Sequence, residues 1–187
     1  YLTNSLEPGI KEIPNLFMAQ WLTEESVKAN EVKQNKPVMV VLGNPPYSGA
    51  SSNKGEWILN LMKDYKFEPG GKEKLKEQNP KWLNGDENKF IRYGQYFIEK
   101  NGTGVLAYIN PHSFLDNPTF RGMRWHLLKT FDTIFTIDLH GNSTKKETAP
   151  DGSADINVFD IKQGVSINFF IKTGKKKTQD LAEVFHY

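Results

Sequence analysis

The apolar run Val38-Met39-Val40-Val41-Leu42-Gly43 stops abruptly at Asn44-Pro45-Pro46-Tyr47, and this junction constrains the fold more than any other stretch. A short continuous apolar run is the pattern of a strand buried on both faces of a parallel sheet. Two prolines then end it, because each lacks the N–H that a ladder needs and each fixes φ. The chain must turn sharply at the carboxyl end of a strand. In open α/β sheets that end faces the binding crevice. Val105-Leu106-Ala107-Tyr108-Ile109 repeats the pattern and runs into Asn110-Pro111-His112-Ser113.

Periodicity fills in the rest. Residues 13–32 read as a helix with Leu16, Phe17, Trp21 and Leu22 on its apolar stripe. Segments 57–65, 88–100 and 120–130 also read as helices, and Asn101-Gly102 stops the second. Segments 133–139, 165–171 and 181–187 read as strands. Residues 48–53 form a small polar loop, 67–80 an irregular charged stretch and 140–160 a polar loop. Strands alternating with helices argue for an α/β fold with a mostly parallel sheet flanked by helices. Residues 1–7 look like the tail of a strand and a polar turn, so the chain is expected to begin inside a domain.

The 187 residues suffice for one ordinary domain. There is no cysteine, which excludes disulfides, thiolate catalysis and cysteine–zinc sites. No run is long enough to cross a bilayer as a helix, and no basic-then-apolar leader opens the chain. A cytoplasmic location is the resulting expectation. The net charge of +2 says little about partners. The four histidines are scattered without a His-Glu-x-x-His spacing, so no metal site is expected. Trp57, Trp82 and Trp125 read as packing residues.

The residues from Asn44 to Tyr47 have the chemistry to hold a planar amine. The exocyclic amine of adenine is a poor nucleophile because its lone pair is delocalised into the ring. Two acceptors aimed at its N–H groups concentrate electron density on the nitrogen. They are the side-chain oxygen of Asn44 and the backbone carbonyl of Pro45. Pro45 and Pro46 stiffen the turn before substrate arrives, which is electrostatic preorganisation. Tyr47 adds a flat face, and base–aromatic stacking is worth about 1–3 kcal/mol. That is comparable to the cost of taking a base out of a duplex. The plain alternative is a tight turn, since Asn and Pro are both turn formers.

Several blocks together resemble one family. They are Thr3-Asn4-Ser5-Leu6-Glu7, Val41-Leu42-Gly43-Asn44-Pro45-Pro46-Tyr47-Ser48-Gly49 and Ile109-Asn110-Pro111-His112-Ser113-Phe114-Leu115-Asp116. Phe120-Arg121-Gly122-Met123-Arg124, Asp138-Leu139-His140-Gly141-Asn142 and Asn157-Val158-Phe159-Asp160-Ile161 extend them over nearly the whole chain. The chain resembles the adenine-N6 DNA methyltransferase region of large single-chain restriction-modification enzymes. The resemblance implies a Rossmann-like, S-adenosylmethionine-dependent fold spanning 1–187, with 38–47 as catalytic strand and turn. It implies double-stranded DNA with a flipped adenine as substrate. Asn44, Pro45, Pro46 and Tyr47 are then catalytic.

Asn4 and Glu7, in a remnant of the cofactor-side strand over 1–7, and Asn44 are candidates for the cofactor side. His112, Phe114, Arg121, Arg124, Lys145 and Lys146 are candidates for the substrate side. Family members carry a Gly-rich cofactor loop upstream of the catalytic block, and no such loop after a strand precedes Asn44 here. The expectation is the C-terminal half of the fold, inactive in isolation, with its cofactor half, target-recognition and helicase or nuclease parts elsewhere in a larger polypeptide. Two rivals stand beside it: a protein-glutamine methyltransferase, which uses the same turn on a side-chain amide, and a non-catalytic DNA-binding fragment. A nuclease pattern of Pro150-Asp151 followed by Asp160-Ile161-Lys162 is weaker, because the stretch between does not read as a hairpin.

Overall fold

The structure is a computed structural model that describes residues 3–8, 20–47, 51–77 and 80–187. Helix α1 spans Gln20–Asn35, and strand β1 spans Val40–Gly43. Helix α2, Glu56–Leu61, runs on into a 3-10 turn, Met62–Lys66. Helix α3 (Asp86–Asn101) leads to strand β2 (Gly104–Pro111). The one-turn helix α4 (Ser113–Asp116) and helix α5 (Arg121–Thr130) then lead to β3 (Thr133–Asp138). Strands β4 (Val165–Lys172) and β5 (Glu183–His186) finish the chain.

The strands form one sheet in the order β1-β2-β4-β3-β5. Strand β1 is parallel to β2, with Val40 opposite Val105 and Gly43 opposite Tyr108. Strand β3 is parallel to β5. Strand β4 lies between β2 and β3 and runs antiparallel to both. Four strands therefore point one way, and their carboxyl ends bring residues 44–47, 110–113 and 138–142 to one edge. The expected α/β fold with a mostly parallel sheet is the observed one, with β4 as its reversed member.

One face of the sheet packs under α3 and α5. Helix α3 presents Ile91 and Ile98 at helical spacing, and α5 presents Met123 and Leu127. They close over Leu106, Tyr108, Ile134 and Phe170. Full burial of each such side chain contributes about 1.5–3 kcal/mol. Helix α3 ends where Gly102 takes the left-handed conformation at φ 85°, and its N–H bonds the carbonyls of Ile98 and Glu99. That is the stop expected from Asn101-Gly102.

A polar ladder fixes the register on the same face. Asn168 of β4 donates to Asn110 Oδ1 on β2 at 3.0 Å and accepts from Thr136 Oγ1 on β3 at 2.9 Å. All three side chains are buried. A one-residue slip of β4 would move Asn168 to the other face and strip Asn110 Oδ1 and Thr136 Oγ1 of these bonds.

Strand β1 corrects one expectation. It is an edge strand, and its side chains alternate between faces rather than being buried on both. Val40 is 59% exposed and Leu42 is 74% exposed. An uninterrupted apolar run reports a strand with two apolar faces, but not whether both are covered. Phe169 and Ile137 continue this open apolar face, each more than one third exposed. The helix expected over 57–65 splits into α2 and a 3-10 turn. The expected segments 1–2, 9–19 and 48–50 lie outside the described residues, as do the side chains of Trp21 and Leu22.

Candidate active site

The turn after β1 is held by its own tyrosine. Tyr47 Oη lies 2.8 Å from Asn44 Oδ1 and 3.2 Å from the Ile109 carbonyl on β2. The hydroxyl has one proton, so it donates to one of these oxygens at a time. Burial raises the Tyr47 pKa, which keeps the phenol a neutral donor. The bond orients the Asn44 amide, with its oxygen towards Tyr47. A carbonyl oxygen has two lone pairs, so one remains for an incoming N–H. Pro45 is buried, while Asn44 and Pro46 are exposed.

Tyr47 forms one wall of a cleft of about 240 Å³. Trp82, Glu87, Pro111, Ser113 and Phe120 supply other parts of the wall. Pro111 ends β2, Ser113 begins α4 and Phe120 stands just before α5. Trp82 is 54% exposed, with Lys81 Nζ 5.2 Å from its ring centroid. It is thus a cleft residue, not the packing residue expected. Trp57 does pack, edge-on against Tyr93 and Tyr96.

A buried ionic cluster fixes the chain just beyond the turn. Lys89 of α3, almost fully buried, donates to Ser51 Oγ and to the Asn53 carbonyl. Asp86 accepts from Ser51 Oγ and, at 3.1 Å, from Asn53 Nδ2. The two ends of the cluster compensate each other's charge, which a buried ion requires. Asn4 joins the same loop: its Nδ2 donates to Glu7 Oε1 at 3.0 Å and to Asn53 Oδ1 at 3.3 Å. Its Oδ1 accepts from Leu6 N–H at 3.0 Å. The segment expected on the cofactor side therefore touches the loop that follows the Asn-Pro-Pro-Tyr turn.

The six substrate-side candidates do not line this cleft. His112 is buried, and both of its ring nitrogens are engaged. Its Nδ1 donates to Asp138 Oδ1 at 2.9 Å, and its Nε2 accepts from Asn142 Nδ2 at 3.1 Å. Burial pushes the Asp138 carboxyl up, but the bonds from His112 and from His140 N–H outweigh it and leave it below the usual range. Phe114 belongs to the core. Arg121 is paired with Glu68 at 2.6 Å and with Glu77. Arg124 donates to the carbonyls of Phe114 and Asn117 at 2.7 and 2.8 Å. Lys145 pairs with Asp116 at 2.5 Å, and Lys146 is exposed.

The loop between β3 and β4 has only one isolated bridge, Thr148 with Ala154. Asp151, Asp160 and Lys162 are exposed on it, without the hairpin that a nuclease core needs. It does bring His140, Glu147 and Asp155 together, with ligand atoms within 4.8 Å of one another. Their separation in sequence hid this grouping.

The geometry is thus a pinned Asn-Pro-Pro-Tyr turn beside a mixed aromatic and polar cleft. A family model described as Eco57I restriction-modification methylase matches residues 4–144. No curated protein matches the chain. Among solved structures, an ATP-dependent Type ISP restriction-modification enzyme, LlaBIII bound to DNA, aligns over 97% of this chain with a TM-score of 0.72 and 24% identity. A DrdV–DNA complex aligns over 89% with a TM-score of 0.68 and 25% identity. A nuclease-deletion mutant of the Type ISP enzyme LlaGI, with a DNA substrate mimic, aligns over 89% with a TM-score of 0.65 and 18% identity. The chain spans only 12%, 16% and 16% of those three proteins, respectively. With three quarters of its length under one family model and this fold, the chain belongs to the Eco57I restriction-modification methylase family.

Proposed function

We propose that this chain carries the acceptor side of an adenine-N6 DNA methyltransferase, working within a larger cytoplasmic restriction-modification polypeptide. The observation that carries this is the bond from Tyr47 Oη to Asn44 Oδ1, beside a cleft with an aromatic wall. The bond presents an oriented amide oxygen where a flat base would stack. Asn44 Oδ1 and the Pro45 carbonyl accept the two N–H groups of the target amine. The nitrogen gains electron density, and its developing positive charge meets dipoles already in place. Tyr47 keeps the base face-on and out of its duplex. The product ammonium gives its proton to water, so no side chain of unusual basicity is required.

S-adenosylmethionine, when bound, supplies the electrophilic methyl group. The described residues on its side are few. Asn4 is engaged by Glu7, Asn53 and Leu6, which leaves, among the described residues, the second oxygen of the Glu7 carboxylate and the open face of Asn44. They fit the rim of a cofactor site, and we assign its main cradle to other parts of the polypeptide. The DNA-bound neighbours, each several times longer than this chain, support that assignment.

The test is transfer of a labelled methyl group by the complete polypeptide to DNA and, in parallel, to protein. N6-methyladenine in the digested DNA is expected. Label found only in glutamine side chains of the protein would overturn the DNA assignment.

A further inference from the structure

Beside Tyr47 the cleft holds one polar group that its own surroundings leave unsatisfied. Glu87 stands in the first turn of α3 and lines the cleft together with Tyr47 and Trp82. Its Oε2 is buried and has no hydrogen-bond partner among the described residues. Its Oε1 receives a long 3.4 Å contact from Asn88 Nδ2, and beyond that the carboxyl has its own backbone N–H. Gly85 makes the arrangement possible, since a side chain there would collide with the Glu87 carboxyl. The adjacent Asp86 and Lys89 are both engaged with the loop at Ser51 and Asn53, so neither is available to Glu87 as a bonded partner. A buried carboxyl oxygen without a partner is costly, and native structures seldom keep one without a use.

We propose, on the reading of this cleft as an adenine pocket, that Glu87 reads the target base as a neutral carboxylic acid. Its O–H donates to the ring nitrogen next to the exocyclic amine. Asn44 and Pro45 occupy the amine itself, so a third contact must go to a ring atom. The bare nitrogen bonded to adenine's amine-bearing carbon is N1; N7 lies one atom further on and is bare in guanine as well. Guanine and thymine carry an N–H at the Watson–Crick ring position, so the carboxylic O–H finds no acceptor there. Glu87 therefore selects amino bases over keto bases at the pocket rather than in the duplex. Burial, with the charge of Asp86 beside it, pushes the Glu87 carboxyl up to about 7, while its own backbone N–H and Lys89 act the other way. Tyr47, the other titratable group of the cleft wall, is neutral at that pH.

The test uses the complete enzyme, wild type, Glu87→Gln and Glu87→Ala. The substrates are duplexes carrying adenine, 1-deazaadenine or 7-deazaadenine at the target position. For wild type, kcat/KM on adenine is expected to fall above pH 7. Glu87→Gln keeps a donor that does not titrate, so its profile should be flat across that limb. Glu87→Ala should cost about 10- to 100-fold on adenine and nothing further on the deaza base that lacks the contacted nitrogen. Thermal melts of both variants guard against misfolding. Equal losses on all three bases, or an alkaline limb that survives in Glu87→Gln, would overturn the inference alone. A wild-type enzyme that methylates no adenine would overturn the pocket assignment itself.

Discussion

Two polar constellations stand along the same carboxyl-end edge of the sheet, at β1 and β3, and differ in how completely they are bonded. At the end of β3, His112, Asp138 and Asn142 satisfy one another, and neither ring nitrogen of His112 is left over. At the end of β1, Asn44 keeps a lone pair, Tyr47 shares one proton between two acceptors, and Glu87 Oε2 has no partner among the described residues. Both ends lie where an α/β sheet binds ligands. The difference teaches that strand-end position alone does not select the working residues. Unfilled bonding capacity does, because a saturated network has nothing to offer a substrate.

Substitutions at the two places should give opposite signatures. The largest effect belongs to Asn44→Ala, which removes an acceptor for the amine. Methyl incorporation should fall on the order of 100- to 1000-fold. The melting temperature should hardly move, because Asn44 is exposed and, among the described residues, its oxygen is bonded only to Tyr47. Near-normal incorporation would break the comparison. His112→Ala should do the reverse. It removes one buried bond from each of Asp138 and Asn142, for a loss of about 1–3 kcal/mol in urea unfolding. Activity per folded molecule should persist. A stable but inactive His112→Ala protein would move His112 to the working side.

Tyr47→Phe is a smaller probe. It keeps the stacking face and deletes the hydroxyl that orients Asn44. The expected loss is about 3- to 10-fold in kcat/KM, the worth of one ordinary hydrogen bond. A loss as large as that of Asn44→Ala would mean that the hydroxyl, not the face, matters.

The smallest effect is on the pH dependence of stability, and its sign differs between the two places. The Glu87 carboxyl is raised by folding, from 4.5 to about 7. Folding therefore favours its protonated form. The stability it contributes is full below the unfolded value of 4.5 and is lost as pH rises through about 7. Asp138 is held below its usual value, so its contribution is present above that value and is lost as pH falls through the folded one. Melts of wild type and Glu87→Gln between pH 5 and pH 8, with an Asp138→Asn control at low pH, separate the two slopes. Identical profiles for wild type and Glu87→Gln would mean that the carboxyl is already solvated.

Much of the scaffold was legible because it depends on local pattern. Leu106, Tyr108, Ile134 and Phe170 stand in strands that apolar runs reveal, and Asn101-Gly102 stops α3 as its residue types require. What stayed hidden depends on distance in sequence. Arg121 reads as a free cation until the fold brings Glu68 and Glu77 against it. His112 reads as a strand-end reagent until Asp138 and Asn142 arrive. Trp82 and Glu87 flank a helix start forty residues beyond Tyr47, and no motif couples them to it. The direction of β4 was equally hidden, since a strand's sequence carries its faces and not its polarity.

That reversed strand also sets an order of events. Strands β2 and β3 do not touch; β4, made after both, is what joins them. Until residues 165–172 leave the ribosome, the sheet is only the β1–β2 pair, with β3 lacking any strand partner and no sheet holding His112 opposite Asp138. Long-range closure of this kind is slow and exposes apolar edges while it waits. A nascent chain stalled short of β4 would carry the complete Asn-Pro-Pro-Tyr turn and still lack the floor beneath it.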